Sequence, residues 1–151
     1  MSAALDEVAR QMVDVVRALK ALHEEATREV GLRLEMPAMG VLAQVERGGP
    51  QRVSTIADEL RLDLSTVSRQ VASLEKAGFL GRSRDPLDSR ASLVDLTHDG
   101  RDAIDAVRNA RIAAMARRLP DWDERELADL GVLLSRFTRD LRADLPLELT
   151  R

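Results

Sequence analysis

The sequence predicts a mainly α-helical protein that carries one small β-hairpin. Three observations point there. Apolar residues recur at three- and four-residue spacings over most of the 151 residues. Glycine and proline interrupt that rhythm at a few sharp places. One stretch, residues 80–96, breaks it with two short strand-like segments about a turn-rich centre.

Leu5, Val8, Met12, Val15, Leu19 and Leu22 form a narrow apolar seam, widened by Val13 and Val16. This is the pattern of a helix laid along another helix. Gly31 is placed to end it. Pro37 sits where a first helical turn tolerates proline, and Met39, Val41, Leu42 and Val45 make a second helix that stops at Gly48-Gly49-Pro50. Ser54 is the expected N-cap of a short helix holding Ile56, Ala57 and Leu60. After a break at Leu62-Asp63-Leu64, Val67, Val71 and Leu74 mark a further helix that ends at Gly78. Two short helices with apolar inner faces, joined by a few residues, make a helix-turn-helix.

The hairpin follows. Leu80–Arg84 and Ser92–Leu96 are its strands, and Asp85-Pro86-Leu87-Asp88-Ser89 lies in a long polar tip. Thr97 is suited to cap a helix whose apolar residues Ile104, Val107, Ile112, Met115 and Leu119 run on to Pro120. Asp123 and Glu126 have capping-box spacing at the head of a last helix, which continues through Leu130, Leu134, Phe137 and Leu141.

Composition narrows the function. No apolar run approaches the roughly 20 residues of a membrane span, and the N-terminus lacks the basic start and apolar middle of a secretory signal. A cytoplasmic protein is expected. Cysteine is absent, which removes disulfides, thiolate metal sites and thiol redox switches. His23 and His98 stand far apart, so no metal site, cofactor or histidine-based catalysis is expected, and an enzyme would have only dispersed carboxylates to work with. Net charge is −3. Between Arg61 and Arg90, however, six basic residues face four acidic ones, a basic island on an acidic chain.

That island holds the expected functional residues. With Val67, Val71 and Leu74 turned inward, Ser65, Arg69 and Ser73 form an outer stripe flanked by Thr66 and Gln70. Short side chains admit a helix to the major groove, where Arg grips guanine and Gln grips adenine, each with two bonds. Free N–H groups at the helix start can hold a phosphate. On the hairpin, Arg82 and Arg84 share one strand face and Arg90 lies across the tip. An arginine there can enter the electronegative minor groove. Asp88, two residues before Arg90, is placed to orient it by a salt bridge. The bland alternatives are a solvated helix face and a solvated turn. A protein-interaction module without direct DNA readout is the other function such a fold serves.

Residues 54–100 resemble the winged helix-turn-helix core of the MarR family of transcription regulators. The resemblance rests on Leu74-Glu75-Lys76-Ala77-Gly78, Asp88-Ser89-Arg90 and Leu96-Thr97-His98-Asp99-Gly100, in order and at matching spacing. It implies a winged helix-turn-helix DNA-binding domain over 34–100, with 1–33 and 101–151 forming a helical dimerisation region. It further implies a homodimer on a palindromic double-stranded operator, with half-sites roughly 34–36 Å apart. Ser65, Thr66, Ser68, Arg69 and Gln70 would line the major groove. Arg84 and Arg90, with Asp88 behind them, would serve the backbone and minor groove. Relatives take small aromatic or phenolic anions in a cleft between the two regions, and an effector here would shift the separation of the two reading heads. Arg10, Arg17 and His23 on the first helix and Met36, Met39 and Leu42 on the second are the candidates for such a cleft, each read equally well as ordinary surface or core.

Overall fold

A computed structural model describes residues 2–143. Six helices and one hairpin follow in the expected order. They are α1 (Ala3–Glu29), α2 (Met36–Gly48), α3 (Val53–Leu60), α4 (Leu64–Lys76), β1 (Leu80–Asp85), β2 (Asp88–Leu96), α5 (His98–Arg118) and α6 (Glu124–Ala143). The chain forms two compact units that divide within α5, after Met115.

The first unit holds the core. Leu34, Val41, Leu42 and Val45 pack with Ile56, Val67, Val71 and Leu74, and this group is closed by Leu80, Val94, Leu96, Ile104 and Val107. Each such side chain removed from water contributes about 1.5–3 kcal/mol. The burial of Val67, Val71 and Leu74 fixes the rotation of α4, and so fixes which residues face outward. The hairpin pairs Leu80 with Leu96, Arg82 with Val94 and Arg84 with Ser92. Gln51 adds a short third rung, donating its N–H to the Val94 carbonyl at 3.1 Å and accepting from the Val94 N–H at 2.8 Å.

Two expectations are corrected. Ser54 lies in the first turn of α3, and the N-cap position is Arg52, whose side chain makes no capping bond. Pairing of Gln51 with Val94 holds the chain extended just before Arg52, so the helix begins at Val53. The tip is also shorter than the turn-rich segment implies. The strands run to Asp85 and Asp88, which pair with each other, leaving only Pro86 and Leu87 between them. The remaining residues are taken up by an irregularity between Arg84 and Asp85 that places Ser89, Arg90 and Ala91 on the longer side.

α1 is buried only at its C-terminal end, at Leu22, His23, Ala26 and Thr27, while the seam residues Leu5, Val8, Met12, Val15 and Leu19 are exposed. In the second unit α6 starts with the expected capping box. The Glu126 N–H donates to the Asp123 carboxylate at 2.8 Å, and the Asp123 N–H donates to the Glu126 carboxylate at 3.0 Å. No described side chain of α6 is buried, so Leu127, Leu130, Leu133, Leu134 and Leu141 lie open along it.

Candidate nucleic-acid interface

α4 presents Ser65, Ser68 and Arg69 to solvent, with Thr66 and Gln70 partly covered. Its N-terminus is organised by a residue that the periodicity leaves in the interhelical break. Asp63 is the N-cap: its carboxylate accepts the Thr66 N–H at 2.9 Å and the Thr66 hydroxyl at 2.5 Å, and also takes the Ser65 hydroxyl. Those bonds, the Ser65 hydroxyl foremost, hold the Asp63 carboxyl well below the usual carboxylate range. The helix start is therefore capped by an internal anion, which already engages the Thr66 N–H that a phosphate would otherwise find free. The Ser65 and Thr66 hydroxyls direct their protons at Asp63, so toward a base edge they act as acceptors. Arg69 reaches Thr66 only at 3.5 Å, which leaves its guanidinium free to turn outward.

The end of α4 shows why its five-residue motif takes this form. Gly78 sits at φ +83°, where a side chain would be strained. The Phe79 N–H donates to the Leu74 carbonyl and the Gly78 N–H to the Glu75 carbonyl, closing the helix with a double turn. The Glu75 side chain then reaches the wing, accepting from Arg82 Nε at 2.6 Å. Arg82 also donates to the Ser92 hydroxyl at 2.9 Å. Of the two arginines on that strand face, Arg82 ties the wing to α4 and only Arg84 remains open.

The wing tip is fixed from beneath by a pair that the sequence pattern does not reveal. Arg52 donates to Asp85 at 2.8 Å through Nε and lies 2.6 Å away through Nη2. Asp85 is buried, and its other oxygen accepts the Leu87 N–H at 2.8 Å. That N–H first, and then Arg52, keep the Asp85 carboxyl below its ordinary range. Asp88 departs from expectation. It accepts the Arg90 backbone N–H at 3.0 Å, while its ionic partner is Arg52 at 3.5 Å. It shapes the backbone at Arg90 and makes no salt bridge to the Arg90 guanidinium. Among the described residues neither Arg84 nor Arg90 has an ion-pair partner. The third motif is a junction. Thr97 donates its hydroxyl to the Gly78 carbonyl at 2.6 Å and accepts the Gly100 N–H at 3.0 Å. A Cβ on Gly100 would stand 2.1 Å from the Phe79 carbonyl oxygen, so only glycine fits.

The MarR family profile matches residues 34–92. A helix-turn-helix transcriptional regulator of Bacillus subtilis strain 168, YxaD, is 35% identical over 106 residues, 70% of this chain and 74% of that protein. The chain belongs to the MarR family. A second B. subtilis protein, the transcriptional repressor MdtR, is 27% identical over 138 residues, 88% of this chain and 89% of its own length. The structure of a MarR family protein from Bacillus stearothermophilus superposes with a TM-score of 0.80 at 19% identity, covering 94% of this chain and 99% of that one, a likeness of fold. This chain is a MarR-family helix-turn-helix transcriptional regulator.

This MarR-family chain also has two half-open clefts that share His23 and Met36. The larger, about 820 Å³, is lined by Lys20, Arg28, Arg33 and Leu34 among others, and the smaller, about 220 Å³, by Met39, Ile104 and Arg108. His23 is buried, with Nε2 2.7 Å from the Leu34 carbonyl. That nitrogen therefore donates to the carbonyl, and Nδ1 is buried with no hydrogen-bond partner among the described residues. Of the other residues expected near a cleft, Leu42 is part of the core. Arg10 and Arg17 line neither cleft and pair along α1 with Glu7 and Asp14.

Proposed function

We propose that this chain works as a homodimer that binds a palindromic double-stranded DNA operator and represses transcription by occluding it. In this reading Ser65, Thr66, Ser68, Arg69 and Gln70 of α4 face the base edges of the major groove. Arg84 and Arg90 reach the phosphates and minor groove, and Asp88 sets the backbone that carries Arg90. The observation that carries the reading is the contrast within the wing: its other cation, Arg82, is held inside the chain, while Arg84 and Arg90 stand unpaired beside an outward polar helix. Neutralising those two internally would be easy for a fold that had no use for them.

A second copy of the chain is the proposed occupant of the exposed apolar faces of α1 and α6. The heptad-like seam of α1 and the leucines of α6 are more apolar surface than a monomer keeps in water without a partner. Residues 1–33 and 101–151 would form that dimerisation region, of which 1 and 144–151 lie outside the described residues, and 34–100 the DNA-binding domain. Repression is supported by the similarity to MdtR, a transcriptional repressor. Responsiveness to a small aromatic or phenolic effector is supported by the His23 clefts, where a phenolic hydroxyl could donate to Nδ1 and a carboxylate could meet Lys20, Arg28 or Arg33.

Selection of ligands from a random duplex pool with purified protein tests the central claim. The expected result is a palindromic consensus with half-sites about one helical turn apart. Recovery of no consensus, or of an asymmetric one bound by a monomer, overturns it.

A further inference from the structure

The tip of the wing is Pro86-Leu87, and Leu87 is 94% exposed, the most open of the large apolar side chains described. Nothing in the fold requires a leucine there, since its side chain covers no part of the core. Its backbone, by contrast, is firmly held. The Leu87 N–H donates to Asp85, Asp85 is locked by Arg52, and Arg52 reaches on to Asp88. Proline fixes its own backbone immediately before it. An apolar side chain is thus displayed on a pre-ordered mount, and little conformational freedom is left to lose on docking. Arg84 stands three residues before it and Arg90 three residues after it, and neither has an ion-pair partner among the described residues.

An apolar side chain flanked in sequence by two cations suits the minor groove, whose rims carry phosphates and whose walls present the apolar faces of the sugars. We propose that Leu87 is a wedge that enters the minor groove and partly unstacks a base step, bending the duplex toward the reading helix. This rests on the DNA-binding reading above and adds to it a site of shape readout. Pyrimidine–purine steps, which open most easily, should be preferred beneath the wing although no side chain reads them by hydrogen bonding.

The test uses the full-length protein and its selected duplex, labelled for end-to-end energy transfer and carrying 2-aminopurine at the step under the wing. Wild type is expected to shorten the end-to-end distance and brighten the 2-aminopurine. Leu87→Ala should abolish both signals and weaken binding by about tenfold, the scale expected when one leucine side chain is no longer withdrawn from water. Its salt dependence should not change, because every phosphate-binding cation is still present. Arg90→Ala should do the converse, lowering the salt slope by about one while leaving 2-aminopurine bright. Circular dichroism of both variants should match wild type. If Leu87→Ala binds and brightens like wild type, the wedge is refuted. If it loses binding to anionic phospholipid vesicles and keeps its DNA behaviour, the tip is a lipid-binding point and the wedge is again refuted. If wild type binds no duplex at all, the failure lies with the DNA-binding reading itself.

Discussion

α5 and α6 are nearly equal in length, at 21 and 20 residues, yet their side chains are used in opposite ways. α5 buries Ala103, Ile104, Val107, Ala110 and Ala114 and closes over the wing junction at Gly100. α6 is the more clearly amphipathic of the two in sequence, and none of its described side chains is buried. The arginines of the wing divide in the same way. Arg82 is engaged inside the chain by Glu75 and Ser92, whereas Arg84 and Arg90 have no ionic partner among the described residues. Residues that the fold consumes and residues that it leaves over are thus separable, and the second group is where the proposed contacts with DNA and a second copy fall.

The separation can be broken from either side. Ile104 is fully buried, so Ile104→Ala should lower the unfolding free energy by about 2–5 kcal/mol, read by urea denaturation, with the slope of the transition unchanged. A smaller loss would mean that α5 is not the lid of the core. On the other side, Leu130→Asp with Leu134→Asp on α6 should leave the helical dichroism of a monomer intact while sedimentation shows the proposed dimer gone and the thermal midpoint independent of protein concentration. A double variant that still sediments as a dimer would place the association surface elsewhere.

The two groups are also unequally legible in the sequence. The α1 seam repeats every three or four residues, the Thr97 cap and the Asp123–Glu126 box each lie within one turn of helix, and spacing alone locates them. The three-part motif locates the wing and α4, and the structure supplies the reason for its glycines. What escapes is non-local. Arg52 and Asp85 lie 33 residues apart, and no local pattern announces that they meet. The same holds for Gln51 against Val94, which moves the start of α3 away from Ser54. Asp63 is within reach of sequence reasoning, since an aspartate before Leu-Ser-Thr is a strong capping residue, but a helix boundary set by apolar spacing leaves the cap outside it. Asp88 misleads for a related reason: proximity in sequence favours Arg90 as its ionic partner, while the fold brings Arg52 closer.

Among the leftover cations the expected effect is on binding alone. Arg90→Ala should weaken operator binding by about 1–3 kcal/mol at fixed salt, in a gel-shift titration, with the urea midpoint unmoved. Arg82→Ala should show the reverse emphasis. Its ion pair is half-exposed and contributes about 0–1 kcal/mol to folding, so any loss of DNA affinity would come through a loosened wing. Equal effects of the two substitutions on affinity and salt slope would erase the distinction between them.

The smallest effect is the dependence of stability on acid. Asp63 and Asp85 both have carboxyl groups held below their ordinary range, the first chiefly by the Ser65 hydroxyl and the second chiefly by the Leu87 N–H with Arg52 behind it. An unfolded aspartate titrates near 3.9, so between that value and the lower folded ones the unfolded chain binds more protons than the folded chain. Stability from these two groups is therefore complete above about pH 4–5 and declines as pH falls through their folded values. Denaturation midpoints measured from pH 5 down to pH 2 should fall in wild type, and less steeply in Asp63→Asn and in Asp85→Asn. The two variants divide the molecule once more. Asn at 63 keeps a capping side chain for α4, whereas Asn at 85 surrenders the ionic partner of Arg52 beneath the tip, so only Asp85→Asn should also loosen the mount of Leu87 and weaken DNA binding at neutral pH. A variant at 85 with unaltered affinity would mean that the tip does not depend on its anchor.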